Sequence, residues 1–488
     1  MATLSSALNY ALAGLSVSAA RSAVVSRNVS SAGDENYSRR TAEIVTLPNS
    51  GPVLAQIARS SDRTLLDKLL ASTSGAAGQQ ITLEALQRMS AISGDPQDDQ
   101  SIAAALGKLQ TALRSYEQNP ASSSLARAAL EAARGVAQKL NTASDEISSI
   151  RSEADRSMAD SAERVTNLLS QFKVVNDSIV RGQGTASDLT DSLDQRDSIL
   201  KLLSEEIGIR ITVRPNNDVS IYAEGGAVLF EGSPRGVSFA ASGYLAAGSV
   251  GNALMIDGVP VTGAGATMPT SGGKLPAYAA LRDGFAPQLS LQLDQIAAGL
   301  VNAFSEADPQ LPASLPTVEG LFQGTGTLPS LSDPNAGLAG RIRINALADP
   351  DQGGTPLLIR DGGFGGPGYL RNAAGKAGFQ TRIAELADGL NRKQSFGNWG
   401  GLGGDASLAE YGARSSSWVE AKRQDAQASG DAAAAAKSRA AQSLARINGV
   451  NIDQEMATLL DLEKSYQASS KVLTAVNSML DTLLEAVN

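Results

Sequence analysis

Apolar positions recur at alternating spacings of three and four in residues 451–487, NIDQEMATLLDLEKSYQASSKVLTAVNSMLDTLLEAV. This heptad spacing predicts a helix with one apolar seam of the coiled-coil type. Eight of the nine seam positions are apolar, which makes this the strongest local pattern in the chain. The C-terminal seam consists of Leu459, Leu462, Tyr466, Ser469, Leu473, Val476, Leu480, Leu483 and Val487.

A second seam of the same kind lies near the other end of the chain. It consists of Leu4, Leu8, Ala11, Leu15, Ser18, Ser22, Val25 and Val29. A single heptad run usually packs inside its own chain. Because both ends carry one, we interpret the two seams as assembly surfaces, which we expect to become ordered when copies of the chain associate.

The composition limits the chemistry that this protein can perform. It contains no Cys and no His, which excludes disulfides, Cys or His metal sites, and a His general base. Aromatic residues make up only 4% of the 488 residues, and the net charge is −9. The acidic balance and the lack of a basic cluster disfavour a nucleic-acid or anionic-membrane partner.

The first 23 residues are rich in Ala but do not fit a secretory signal, because no basic segment precedes the apolar part. No stretch approaches the roughly 20 apolar residues that cross a membrane. We therefore expect a soluble protein that, if exported, does not use an ordinary cleaved signal peptide.

The periodicity changes several times along the chain. Helical spacing predicts helices over Val53–Leu70 and Asp145–Val180. Strict alternation on both sides of the turn Pro215–Asp218 predicts a β-hairpin. The predicted fold is mainly α with inserted β: an elongated multi-domain rod with a long helical bundle formed by both chain halves, terminal coiled-coil-like helices and small outer β domains.

The same pattern predicts four kinds of domain. They are terminal assembly helices at 1–40 and 445–488, a discontinuous helical rod domain at 41–207, 275–305 and 377–444, a β domain at 208–274, and a Pro/Gly-rich insertion at 306–376.

The densest ionic group in the chain is Asp191, Asp194 and Asp197 with Arg196. A hydrolytic site would need two such carboxylates beside one substrate bond. Carboxylates three residues apart on a helix more often form a solvated face with local ion pairs, so we favour a structural role.

Two weaker motifs resemble ligand sites. Lys376 follows glycines as in a phosphate loop, but the Gly spacing is wrong and Ala377 replaces the required hydroxyl residue. Asp349 and Asp351 begin like a calcium loop that lacks its later ligands. We predict no catalytic residue, no cofactor and no metal.

Three segments resemble the signatures of one family. Asn28, Tyr37, Ser38 and Arg39 match the N-terminal signature of flagellar axial proteins, although Arg27, Ser31 and residues 33–36 depart from it. The C-terminal signature is matched by Gly449, Val450, Asn451, Asp453 and Glu455. An internal L-D-Q-R-D motif, which includes Asp194, Gln195, Arg196 and Asp197, is similar to that of the hook-associated protein 1 family.

The resemblance implies a non-enzymatic ring subunit at the junction between the flagellar hook and filament. It further implies export in the unfolded state by the flagellar type III apparatus and an extracellular location. The implied partners are further copies, the hook protein, the second hook–filament junction protein and a FlgN-like export chaperone at the C-terminal region. The alternatives are the second junction protein, flagellin and, in another class, a secreted carboxylate-dependent hydrolase.

Overall fold

The computed structural model describes residues 2–47, 51–94, 101–183, 188–310 and 313–485. Helices dominate these ranges, and the strands form small antiparallel sheets of two or three strands. The predicted fold class, mainly α with inserted β, is confirmed. Among the described helices, none combines the length and apolarity needed to cross a membrane.

The helices are α1 Ala2–Ser30, α2 Arg63–Ser93, α3 Ile102–Gln118, α4 Ser123–Gly182, α5 Thr190–Glu206, α6 Lys274–Ala280, α7 Ala286–Ala303, α8 Leu358–Asp361, α9 Thr381–Asn391, α10 Leu408–Asn448 and α11 Ile452–Glu485. A π-helical turn, Leu281–Phe285, joins α6 to α7. The strands are β1 Arg40–Leu47, β2 Gly51–Arg59, β3 Ile209–Val213, β4 Val219–Ala223, β5 Val228–Phe230, β6 Val237–Ser238, β7 Met255–Ile256, β8 Val259–Pro260, β9 Phe322–Gln323, β10 Arg343–Ile344, β11 Gln394–Trp399 and β12 Leu402–Ala406.

Helix α4 is the central helix, along which both apolar cores lie. It has 60 residues, which corresponds to a length of about 90 Å. Ser122 caps its first turn by accepting a hydrogen bond from the Leu125 amide. The helix predicted at Asp145–Val180 is the second half of this longer element, because no breaker separates Ser123 from Asp145.

Two apolar cores lie along α4. The first joins its N-terminal half to α2, α3, α7, α9 and α10, and the second joins its C-terminal half to α2, α5 and strands β3–β5. Helix α10 packs along α2, so residues from both halves of the chain form one helical body.

The two terminal helices, α1 and α11, pack against each other as an antiparallel pair, called here the tail pair. A Cβ placed on Gly14 would lie 3.2 Å from Oγ of Ser469, and Asn28 bonds to Glu455. The two contacts are fourteen residues apart on each helix. Their order is reversed, since the later residue of α1 meets the earlier residue of α11, so the helices are antiparallel. The two terminal helices therefore pack on each other within the chain, and the interpretation of their seams as assembly surfaces stays a prediction.

The helix predicted over Val53–Leu70 is wrong in its first half. Residues Arg40–Leu47 and Gly51–Arg59 form the β1–β2 hairpin, and α2 begins only at Arg63 after an Asp62 cap. Val53 and Ile57 fit helical spacing, but the residues around them also fit the alternation of a strand. Pairing with β1 selects the strand, and the spacing of apolar residues within β2 does not show that pairing.

The remaining strands lie beside the helical body. Strands β3, β4 and β5 form one sheet and β6, β7 and β8 another, both within residues 208–274. In residues 306–376, β9 pairs with β10 among loops and short helical turns.

Candidate functional site: a polar junction between the tail pair and the helical body

Asn28 lies in the last turn of α1 and is fully buried. Its amide nitrogen donates to the Arg40 carbonyl at 2.9 Å and to the Glu455 carboxylate at 3.0 Å. Its amide oxygen accepts hydrogen bonds from the Arg40 backbone N–H at 3.0 Å and the Tyr37 hydroxyl at 2.8 Å. All the hydrogen-bonding groups of the side chain are used, so Asn28 joins α1, β1 and α11 at one point.

Glu455 lies in the first turn of α11 with its side chain 1% exposed. Besides Asn28, it accepts a 2.6 Å hydrogen bond from Nε of Arg39. Asn451 accepts a hydrogen bond from the Gln454 amide and so caps the same helix start. A carboxylate at a helix N-terminus is stabilised by the helix dipole, and here it is also paired with a cation.

Arg40 and Arg59 are direct partners across the β1–β2 ladder. Like charges in this arrangement repel each other unless an acid compensates them. Asp194 on α5 supplies that acid: it accepts hydrogen bonds from Arg40 at 3.2 Å and from Arg59 at 2.9 Å. Asp197 binds Arg59 at 2.6 Å, and Asp191 binds Arg40 at 2.5 Å.

We call the set Asn28, Arg39, Arg40, Arg59, Asp194, Asp197 and Glu455 the polar junction. It connects the tail pair through the hairpin to α5 of the helical body.

Protonation in the junction follows from this geometry. Burial alone lowers the pKa of Arg40, but hydrogen bonds to Asp191 and Asp194 outweigh it, and the net effect raises that pKa. Burial raises the pKa of the Tyr37 hydroxyl, whose ring lies 4.6 Å beneath the Arg40 guanidinium. Both groups therefore keep their protons at neutral pH, so Arg40 stays a cation and the Tyr37 hydroxyl stays a neutral donor.

Arg196 points from α5 toward a different element. Its guanidinium donates to the Asn217 carbonyl at 2.6 Å, in the turn between β3 and β4. Asn176 of α4 binds the same turn through Asp218 at 2.7 Å. Burial lowers the pKa of Arg196 to about 10, which still leaves it charged at neutral pH. The acids of the L-D-Q-R-D segment thus bind the β1–β2 hairpin, and its arginine binds the turn between β3 and β4.

The other motif residues lie around this centre. The Ser38 amide donates to Asp194 at 3.4 Å, and Gly449 and Val450 lie in the half-buried connection between α10 and α11. Gln195 and Asp453 are exposed. The motifs that resemble the family signatures therefore converge in space. Arg40 and Arg59 were missed as site residues, although their positions at the outer ends of two alternating segments could have suggested a cross-strand pair.

The seam residues fall into three groups. Val25, Leu462 and Val476 are buried, Leu8, Leu15, Val29, Leu459, Leu473 and Leu480 are half-buried, and Tyr466 is exposed. The side chains of Leu4 and Leu483 are not described, and Val487 lies outside the described residues.

The arrangement does not resemble a hydrolytic site. Both oxygens of Asp194 accept hydrogen bonds from arginines, and Asp197 is bound to Arg59. A general acid or nucleophile needs a carboxylate that is free to meet substrate. Within the described ranges, no group of three potential metal-ligating side chains is suited to hold a metal ion.

Comparison with known proteins matches this organisation. The model of the flagellar hook-associated protein FlgK helical domain matches residues 86–310, and that of the flagellar basal body rod FlgEFG protein C-terminal region matches residues 442–486. These two matches support the flagellar axial proteins as the class of protein. Within that class they support the FlgK family of hook-associated proteins, in agreement with the resemblance seen in the sequence.

Individual relatives are distant in sequence. Flagellar hook-associated protein 1 of Salmonella typhimurium is 22% identical over 242 residues, covering 47% of this chain and 43% of that protein. The Escherichia coli K12 protein of the same name is also 22% identical to this chain over 242 residues, and the match covers 44% of that protein. The chain thus spans less than half the length of the curated relatives it matches.

A solved structure, the flagellar hook junction protein FlgK from Burkholderia pseudomallei, is 21% identical with a TM-score of 0.42. It covers 53% of this chain and 46% of that one.

Proposed function

We propose that this protein is a structural, non-catalytic subunit of the hook–filament junction, assembled through the tail pair. One observation carries the proposal: twelve of the twenty exposed large apolar side chains on described residues lie in residues 2–59 and 447–485. These two ranges make up about a fifth of the chain. Such a concentration of exposed apolar surface is typical of a protein interaction site.

The twelve side chains lie on the outer surface of the tail pair, on the hairpin and at the end of α10. They are Tyr10, Leu12, Val45, Leu47, Leu54, Ile447, Ile452, Met456, Leu460, Tyr466, Val472 and Met479. We propose that the seams hold α1 and α11 together, while these twelve outward residues, which include the exposed seam residue Tyr466, contact neighbouring copies in a ring.

The proposal extends to the partners and location that the resemblance implies. The neighbours are the hook protein on one side and the second junction protein on the other, and a FlgN-like chaperone binds the C-terminal region before export. The protein then acts outside the cell as part of the flagellum. The name of the relatives, hook-associated protein 1, supports a position at the hook.

A deletion strain tests this function. We expect intact hooks without filaments, and filament subunits released into the medium, with both defects reversed by the wild-type gene. Normal filaments on the deletion strain would overturn the junction role.

A further inference from the structure

A cleft of about 860 Å³ opens between the hairpin and the helical body. Strand β2 forms one wall, and the start of α2, α5 and the β3–β4 hairpin form others, together with Gly182 and Gln183 at the end of α4 and Asn448 of α10. The volume falls in the range of sites that hold a small ligand or a short peptide.

Strand β2 presents its backbone edge to this cleft. Six consecutive residues, Leu54 to Arg59, line it, whereas a strand that showed only one face would contribute every second residue. The Arg40 N–H and carbonyl both bond to Asn28, so they point away from β2. Alternation along the ladder then turns the corresponding groups of Arg59 and Ile57 away from β1, toward the cleft.

Apolar and polar residues share the lining of the cleft, and its charges are balanced. Leu193, Leu200, Ile211 and Val213 contribute side chains from α5 and β3. Three arginines, Arg59, Arg63 and Arg196, and three acids, Asp62, Asp188 and Asp197, are the charged lining residues. A free strand edge beside such a lining accepts an extended segment that carries apolar and polar side chains in alternation.

Strand β1 has the properties of such a segment. It is exposed over most of its length, with Val45 and Leu47 50% and 44% exposed. By the same alternation, the backbone groups of Ala42 point away from β2. Beyond the bulge at Glu43 and Ile44, Thr46 lies opposite Pro52, which has no N–H to donate to it. Its only acid, Glu43, is opposite in charge to Arg63 in the cleft lining, whose ion pair with Asp67 is long, at 3.9 Å.

We propose that the cleft receives strand β1 of a neighbouring copy, which adds to the free edge of β2. The inference rests on the proposed junction function, since it requires self-assembly. Donor and acceptor belong to the same hairpin but use different edges, so the contact is heterologous and can repeat from copy to copy around a ring.

Cysteine pairs test the contact, because the native chain contains no Cys. Thr46→Cys on β1 is combined with either Ala55→Cys or Ser61→Cys in the cleft wall. Within one chain Thr46 pairs with Pro52, so Ala55 lies roughly 10 Å further along the strand, beyond disulfide reach. The matched control combines Thr46→Cys with Val174→Cys, an exposed position on α4 that does not line the cleft.

We expect oxidation of assembled flagella to produce a ladder of crosslinked copies for at least one test pair and none for the control. Normal filaments by electron microscopy without a ladder would overturn the strand addition and leave the junction function standing. An equal ladder from the control would also overturn it. If the wild-type chain is absent from isolated flagella, the junction function itself fails, and the strand addition fails with it.

Discussion

The side-chain amide of Asn28 donates a 3.0 Å hydrogen bond to the carboxylate of Glu455, 427 residues further along the chain. Both groups are buried, and this bond ties the end of the first helix to the start of the last. Arg39 and the hairpin are attached at the same point. The orientation of the tail pair is therefore set by a small number of hydrogen bonds that can be removed individually.

Asn28→Ala should loosen the tail pair without unfolding the helical body. Removing the amide leaves the Glu455 carboxylate and the Arg40 backbone groups short of partners, at a cost of about 1–3 kcal/mol each. Hydrogen exchange of α11 should accelerate, while exchange in α4 stays at the wild-type rate. Gln195→Ala, at an exposed position, is the control; equal protection of α11 in both variants would contradict the assigned role of Asn28.

Asp194→Asn should destabilise the hairpin attachment more than Asp197→Asn. Asp194 binds two arginines, and without its charge the buried Arg40 keeps only the largely exposed Asp191, while Arg59 keeps only Asp197. We expect a cost of about 1–3 kcal/mol. Asp197 has one partner and is slightly more exposed. Protease cleavage between β2 and α2 would report the difference.

An Asp194→Asn variant that folds, is exported and assembles, yet has no junction function, would instead revive a ligand-binding or catalytic role for these acids.

Charged substitutions should separate the two surfaces of the tail pair. Val476→Asp places a carboxylate between α1 and α11, so it should disrupt the pair itself. Leu460→Asp, at a position 55% exposed, should leave the pair helical by circular dichroism but prevent assembly. Val174→Asp on α4 is the matched exposed control, expected to build normal filaments.

Secretion must be measured in the same cells, because a variant that is never exported tests export alone. If Leu460→Asp is exported and builds normal filaments, the outer surface of the tail pair is not an assembly surface. If Leu480→Asp or Leu473→Asp behaves like Val476→Asp, the half-buried seam positions serve the pair and not the contact between copies.

Stability should depend on pH through Asp294, which lies in α7 and accepts hydrogen bonds from the Gly337 and Ala339 amides. Burial raises the pKa of Asp294 to about 6. Because this pKa is higher in the folded state than in the unfolded state, the folded state takes up a proton at Asp294 at a higher pH. The free energy of unfolding therefore rises, as far as this group is concerned, when the pH falls from 7 toward 4. Between pH 7 and 5 the wild type should gain about 1 kcal/mol relative to Asp294→Asn.

Urea unfolding of both chains at the two pH values measures that gain. Since the comparison is between two proteins at each pH, titration of other acids cancels. An unchanged difference between pH 7 and 5 would show that Asp294 is ionised throughout this range.

Local periodicity was sufficient to identify the terminal helices. The spacing of Leu459, Leu462 and Val476 depends only on the 3.6-residue turn of a helix, so it is readable without a partner. The absence of His and Cys likewise excluded whole classes of chemistry from composition alone. The hairpin was different: Val53 and Ile57 fit both helical and alternating patterns, and only pairing with β1 selected a strand.

What lies opposite each seam was decided by the tertiary structure. Gly14 faces Ser469, and Arg40 and Arg59 meet at Asp194, which is 154 and 135 residues away in sequence. A heptad pattern states that a helix has an apolar side but does not identify the helix that covers it. Similarly, Asp191, Asp194 and Asp197 lie three residues apart on one helix, and this spacing alone indicates a solvated surface. Only the tertiary structure shows that arginines of the β1–β2 hairpin pack against them. Those contacts form only when distant segments of the chain pack together. Burying the charges costs free energy, and the attraction between them offsets that cost only when both partners are present.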